Sequence, residues 1–311
     1  MLSWVIGIDL GGTKIEIALF DPQDQIAARK RIPTLAEQGP AAVVDRIAAT
    51  IAELEAGIPG GERAAALGIC SPGPLDHTKG TLIKPTNLPK FHNTPLQKLL
   101  SDRLGIPVSL EHDAKAAALG EFFYGTGRDE SSMVYTVVGT GVGSAILLDG
   151  RLIRGMHNFA GEAGHSTVDR DGELCPCGSR GCVETYTSGP WLARRYLRAQ
   201  PVSGEDPERM TGETVARLAG QGDPLAARIM QVAGKALGIM VATMAMILDI
   251  ELFVFGGGVS RAGDLLFEPA RSTLPRYAFE SVSSRVHIVP TQLGDDGPLL
   301  GCCWLARQLK P

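Results

Sequence analysis

At 311 residues the chain is long enough for two packed domains, because single cores seldom grow past about 250–300 residues. A formal net charge of −4 and a pI near 5.9 argue against non-specific binding to nucleic acid or anionic membranes, and 5% aromatic residues argue against a base-stacking surface. A hydrophobic share of 44% and a charged share of 21% are ordinary for a soluble globular protein. The 38 glycines are about twice the usual ~7% share and point to tight turns and close backbone approaches to ligands, so small-molecule chemistry is the expectation.

The start of the chain has no basic lead-in and no cleavage site, and Asp9 interrupts its apolar run, so a cytoplasmic location is expected. VIGIDL at 5–10 and IEIALF at 15–20 are predicted strands joined by GGTK at 11–14. Gly11 and Gly12 can offer backbone N–H groups to a phosphate, and Asp9 at the strand end can hold a hydrated Mg²⁺ against the same group. No GxxxxGK[ST] precedes a helix, so this is not a Walker loop. IAARKRI supplies a third strand. A helix follows over 41–57, with Val44, Ile47, Ile51 and Leu54 on one face and Asp45, Glu53 and Glu55 mostly on the other. AALGIC is a buried strand running into the stiff loop SPGPLD at 71–76. Asn87 lies between prolines in KPTNLPKF, where a turn role is the simplest reading.

Residues 108–110 form a strand, and Asp113 stands before the alanine-rich helix AKAAALGEFF, placed as an N-cap. Beyond Gly125 and Gly127, the stretch SMVYTVVGTGVGSAILLDGRL repeats the strand, glycine loop, strand pattern of the N-terminus. Two such hairpins are suited to one nucleotide phosphate tail. A helical region spans about 190–248, with GEDPER and GQGDP as breaks. Its apolar end, ALGIMVATMAMIL, is shorter than the ~20 residues a bilayer needs and is expected as a buried helix. ELFVFGGGVS at 251–260 is a strand ending in Gly256, Gly257 and Gly258, either a simple terminator or a space for a flat ring. GDDGPLLGCCWLA gives a last helix, and Cys70, Cys302 and Cys303 are expected as small buried residues.

Between these parts lies HSTVDRDGELCPCGSRGCVE at 165–184. Cys175, Cys177 and Cys182 with His165 form a set suited to tetrahedral zinc, and Gly172, Gly178 and Gly181 let the loop fold back. A disulfide or unrelated thiols are the other reading. Three clustered cysteines cannot pair without a remainder, which favours the metal.

GEAGH at 161–165, followed by CPCG and GCVE, resembles the signature of ROK-family sugar kinases, and the resemblance extends over essentially the whole chain. It implies an α/β fold of two ribonuclease H-like domains, of the actin, Hsp70 and hexokinase type, with a cleft between them. The smaller would comprise 1–118 with about 297–311, and the larger 119–296 with the zinc segment. It implies zinc on His165, Cys175, Cys177 and Cys182, and sugar contacts from Glu162, His165 and Glu184, with Gly73, Asn87 and His112 as further candidates. Asp113 would be the general base toward a sugar hydroxyl at C6. ATP and Mg²⁺ would be held by Asp9, Gly11, Gly12, Thr13 and Lys14, by Thr140, Gly141 and Gly143, and by Gly256, Gly257 and Gly258 at the adenosine.

A small-molecule sugar and a homodimer are the implied partners, with no nucleic acid and no membrane. The family also contains sugar-sensing repressors with an added N-terminal helix-turn-helix, so a sensor without kinase activity is the alternative. Here the phosphate loop begins close to the start of the chain and GTGVG is intact, which favours a kinase. Where the family usually has NDAN, this chain has His112, Asp113, Ala114 and Lys115, so the sugar itself is left open, as is polyphosphate in place of ATP. His112 is expected to alter recognition near C3 or C4, with a tolerated isofunctional swap for asparagine as the other reading, and Lys115 to be a solvated helix residue.

Overall fold

The apolar runs of the N-terminal third form the expected hairpin in the computed structural model, which describes residues 3–85, 87–199 and 210–309. β1 (Val5–Leu10) and β2 (Lys14–Phe20) pair antiparallel with Asp9 opposite Glu16, and β3 (Ile26–Pro33) adds antiparallel at the edge. α1 (Pro40–Glu55) then crosses over to β4 (Ala66–Ser71), which lies parallel to β1, as a strand reached through a helix can. A small hairpin, β5 (Leu75–Asp76) with β6 (Thr81–Leu82), and α2 (Leu96–Leu104) lead to β7 (Val108–His112), parallel to β4. α3 (Asp113–Tyr124) follows at once.

The sheet order is β3-β2-β1-β4-β7. Ile6, Ile8 and Leu10 of β1 meet Val44, Ile47 and Ile51 of α1 in one core cluster, so the helical face expected from spacing is the buried one. Glu55 departs from that expectation. It is buried, accepts a hydrogen bond from the Ala64 N–H at 2.9 Å and pairs with Arg63, closing the turn after α1.

The second half repeats the plan. β8 (Met133–Val138), β9 (Val142–Leu148) and β10 (Arg151–Ile153) form an antiparallel meander. α4 (Val183–Thr187), α5 (Gly189–Ala199), α6 (Gly212–Gly220) and α7 (Pro224–Leu248) precede β11 (Leu252–Gly256), and α8 (Asp264–Thr273) and α9 (Glu280–Ser283) precede β12 (His287–Pro290). β11 is parallel to both β8 and β12, giving the order β10-β9-β8-β11-β12. Order and strand directions match the first sheet throughout, so the internal repeat extends from one hairpin to a whole five-stranded sheet.

α7 has 25 residues and meets the length and hydropathy of a membrane span, so the argument from shortness does not hold. Met230, Leu237, Met240 and Val241 of α7 sit in the core of this half, in one cluster with residues of α8 and β11, as a buried helix is expected to do. The break expected at GEDPER lies outside the described residues.

The chain divides into two compact units, one of 1–128, 154–160 and 295–311, the other of 129–153 and 161–294. The division falls after α3 rather than at the 118/119 boundary, because α3 runs unbroken to Tyr124 along α10 (Gly297–Arg307). That packing is backbone-close: a β-carbon on Gly301 would lie 1.7 Å from the Ala116 carbonyl oxygen, and one on Gly68 of β4 2.0 Å from that of Cys302. Cys70, Cys302 and Cys303 are buried as expected.

Candidate active site

The Gly-Gly turn between β1 and β2 is held by Gly11 N–H donating to the Lys14 carbonyl at 3.0 Å and by the Thr34 hydroxyl donating to the Gly11 carbonyl at 2.7 Å. Asn87 is seated directly on it. A β-carbon at Gly12 would come within 2.6 Å of the Asn87 carbonyl oxygen, so these two predicted residues share one place. Lys14 reaches Glu16 at 3.4 Å. Asp9, at the carboxyl end of β1, is pushed up to about 6 by burial and then by the nearby Asp113 carboxylate, while the Cys70 thiol donates to its Oδ1 at 3.5 Å.

A half-buried carboxyl with a second carboxylate nearby, at the end of the strand that runs into the Gly11–Gly12 turn, is suited to a hydrated divalent cation, which would supply positive charge. The folded pKa of Asp9 lies above its ordinary value of 3.8, so the native state is favoured by protonation and loses that advantage as pH rises from about 4 to about 6. Holding it ionised costs on the order of 3 kcal/mol. Asp9→Asn is therefore expected to raise the melting temperature of metal-free protein at pH 7.5 by roughly 5 °C, with little change at pH 4, measured by thermal denaturation. Equal melting at both pH values would show that Asp9 carries no such cost.

Asp113 is the first residue of α3, and His112, in extended conformation, holds the cap position. The N-cap role expected of Asp113 thus passes to its neighbour's backbone. Asp113 Oδ1 accepts from the Ala114 N–H at 2.6 Å and lies 3.0 Å from His112 Nδ1; neither contact uses Oδ2. The other edge of the imidazole faces the SPGPLD loop. A β-carbon on Gly73 would be 2.8 Å from His112 Cδ2 and 3.1 Å from Nε2, so Gly73, His112 and Asp113 form one contiguous group.

Lys115 overturns the expectation of a solvated residue. It is 2% exposed, and its Nζ donates at 2.7 Å to both the carbonyl and the side-chain oxygen of Asn158. Its position on the inner face of α3 could not be inferred from an alanine-rich helix whose faces are all compatible with burial.

In the second unit, the GTGVG loop is closed by Gly139 N–H donating to the Gly141 carbonyl at 2.9 Å, and Glu184 Oε2 accepts from the Val142 N–H at 2.9 Å. Glu184 therefore braces the loop, a role the sequence reading did not give it. A cavity of 540 Å³ is lined by Gly139, Thr140, Gly189, Gly212, Glu213 and Gly258 among others. Of the predicted nucleotide residues in this unit, Thr140 and Gly258 line it. Gly256 and Gly257 serve packing: β-carbons there would meet the Tyr135 hydroxyl at 2.2 Å and the Val138 carbonyl oxygen at 2.4 Å, and Gly257 has φ 88°.

Glu213 and the glycines opening α5 and α6 were missed by sequence reasoning. The only available signal was a glycine at each helix start, Gly189 and Gly212, whose backbones touch.

The zinc-type residues converge. Cys175 Sγ lies 3.7 Å from His165 Nδ1 and Cys177 Sγ 3.6 Å from Cys182 Sγ, and the four donor atoms lie within 4.8 Å of one another. A tetrahedral ion with Zn–S bonds of ~2.3 Å sets its ligands about 3.8 Å apart, which these two separations match and the full set, within 4.8 Å, approaches, so the residues fit such an ion with small shifts. The Ser179 N–H holds the Cys177 thiol down to about 7, whereas burial raises the Cys175 thiol and pushes that of Cys182 up to about 12, so a cation would have to supply the charge that makes those two thiolates. Gly181, at φ 61°, makes the return of the loop, and a β-carbon there would be 1.6 Å from the Asp169 carbonyl oxygen. His165 presents Nδ1 to the thiols, and Nε2 is its other ring nitrogen.

A sheet of one topology built twice, each copy bent at a glycine hairpin, places the protein in the actin and hexokinase-like class of α/β folds. The chain belongs to the ROK family, which matches residues 5–309. A glucokinase of Thermotoga maritima is 35% identical over 314 aligned residues, 98% of this chain and 97% of that one. The structure of a ROK family glucokinase from Streptomyces griseus in complex with glucose and AMPPNP matches with a TM-score of 0.79 and 32% identity, covering 98% of this chain and all of that one. A putative xylose repressor of a Caldicellulosiruptor species is 29% identical over 96% of this chain and 76% of its own length.

Proposed function

We propose that this protein is an ATP-dependent sugar kinase that transfers the γ-phosphoryl group to the C6 hydroxyl of a hexose or a hexose-like cyclitol. The observation that carries the reading is that Asp113 and the half-buried Asp9 stand at the carboxyl ends of β7 and β1 of one sheet, near enough for the Asp113 carboxylate to raise the Asp9 pKa, with the Gly11–Gly12 turn following β1. Whole-length similarity to a glucokinase supports it. In this reading Asp113 Oδ2 takes the proton of the sugar hydroxyl as that oxygen attacks the γ-phosphorus, and the bond from the γ-phosphorus to the β-phosphate oxygen breaks to release ADP.

Gly11, Gly12, Thr13 and Lys14, with Thr140, Gly141 and Gly143, hold the phosphates; the 540 Å³ cavity takes the adenosine, with Glu213 available to its ribose hydroxyls. Glu162, His165, Glu184, Asn87 and Gly73 orient the sugar. Mg²⁺ at Asp9 supplies positive charge to the phosphates, and zinc on His165, Cys175, Cys177 and Cys182 supplies rigidity to the sugar segment. Similarity to a putative xylose repressor keeps a sensor as the second reading. Two intact glycine hairpins favour the kinase.

His112 bears on the substrate. Its imidazole, with Nδ1 3.0 Å from Asp113 Oδ1, is a wider and flatter group than the amide of an asparagine, which donates and accepts from one small group. The preferred substrate is therefore expected to differ from plain glucose around C3 or C4. A coupled ADP assay over glucose, its C3 and C4 epimers, hexosamines and cyclitols tests this in the native protein and in His112→Asn. A shift of preference toward glucose in the variant is expected. Glucose as the best substrate of both, with equal affinities, would refute it.

A further inference from the structure

Between Ile153, the end of β10, and Gly161 the chain leaves the second unit for seven residues, Arg154–Ala160, that belong to the first. This strap is closed on itself by the Ala160 N–H donating to the Arg154 carbonyl at 3.1 Å. Both of its fixed points lie beside the proposed base. Glu111, 1% exposed on β7 two residues before Asp113, accepts from Arg154 Nε and Nη2 at 2.7 Å and turns its other oxygen to the His112 N–H at 2.9 Å. Lys115, two residues after Asp113, holds Asn158 through both of that residue's oxygens, with Asn158 in left-handed conformation at φ 65°.

Each clasp joins a buried charged side chain, Glu111 or Lys115, to a half-buried strap residue, and such a charge is costly to leave unpaired, so the strap has one preferred position. The tip residues Met156 and Phe159 are 91% and 62% exposed, so apolar burial does not anchor it there. The chain runs from Asn158 to Glu162 in four residues and to His165 in seven.

We infer that Lys115 is a positioning residue for sugar binding: by clasping Asn158 it fixes the strap from which the chain runs directly into Glu162 and His165. The inference rests on the sugar reading of Glu162 and His165. If Lys115 is lost, the strap samples released positions, and sugar affinity falls in proportion to the clasped fraction. ATP affinity does not depend on that fraction, and turnover at saturating sugar, where binding reselects the clasped strap, falls little.

The test compares the parent with Lys115→Met, which keeps the length and apolar stem, and with Asn158→Gly, which keeps the left-handed backbone and one carbonyl acceptor. Three quantities are measured: the dissociation constant of the best sugar by calorimetry, that of ATP, and the rate of chymotryptic cleavage after Phe159. Lys115→Met is expected to weaken sugar binding about tenfold, to leave ATP binding within twofold and to speed cleavage at least about fivefold. Asn158→Gly should do the same to a smaller extent, and the double variant should add little to Lys115→Met, since both break one contact. Unchanged cleavage, or faster cleavage with unchanged sugar affinity, would overturn the inference. A parent protein that binds sugar without forming ADP would instead count against the kinase reading, and the binding and cleavage comparison would still decide the role of Lys115.

Discussion

Asp113→Asn is expected to lower turnover by about 10²- to 10⁴-fold while sugar affinity stays within about an order of magnitude. The amide keeps an oxygen to accept from the Ala114 N–H and stays isosteric beside His112, so α3 begins as before and the strap contacts of Glu111 and Lys115 are untouched. What it lacks is a basic oxygen for the proton of the attacking hydroxyl. Single-turnover rates and sugar binding, measured separately, resolve the two effects. Turnover within twofold of the parent would remove Asp113 from the role of base.

Cys175→Ser is expected to have the second large effect, because it removes one of the four convergent donors from a buried position. Zinc content should fall from one per chain toward zero, the melting temperature by roughly 5–10 °C, and sugar affinity with them, since His165 would orient toward sugar only while its Nδ1 is engaged. The loss is joint by construction. Elemental analysis that finds no zinc in fully active protein would contradict it, as would a variant that loses zinc and keeps its sugar affinity.

The features legible in the sequence were those written locally. The hairpins at 5–20 and 133–148 announce themselves by apolar runs broken at glycines, α1 by its 3.6-residue stripe, and the metal quartet by eight residues carrying three cysteines. The equivalence of the two whole sheets was not legible, because β10 and β12 have three and four residues and no pattern of their own. Lys115 was misjudged because a helix of alanines does not show which face is covered, and its partner Asn158 is 43 residues away. Glu184, expected at the sugar, also accepts a hydrogen bond from the GTGVG backbone through Oε2; such a bond depends on α4 packing near β9, which no local pattern states. The cavity lined by Gly189, Gly212 and Glu213 is assembled from helix starts far apart in the chain, where a glycine before a helix is too common to mark a site.

The central claim is that phosphate passes from ATP to a sugar hydroxyl. Its most direct measurement is mass spectrometry of the products after incubating the purified protein with Mg²⁺, ATP labelled with ¹⁸O in the γ-phosphoryl group, and the hexose, hexosamine and cyclitol panel. The account predicts one sugar monophosphate carrying the three non-bridging labelled oxygens, formed in equal amount with ADP, and formed about 10²- to 10⁴-fold more slowly when Asp113 is replaced by asparagine. ADP accumulating without any sugar phosphate, or sugar binding with no ADP formed, would contradict it.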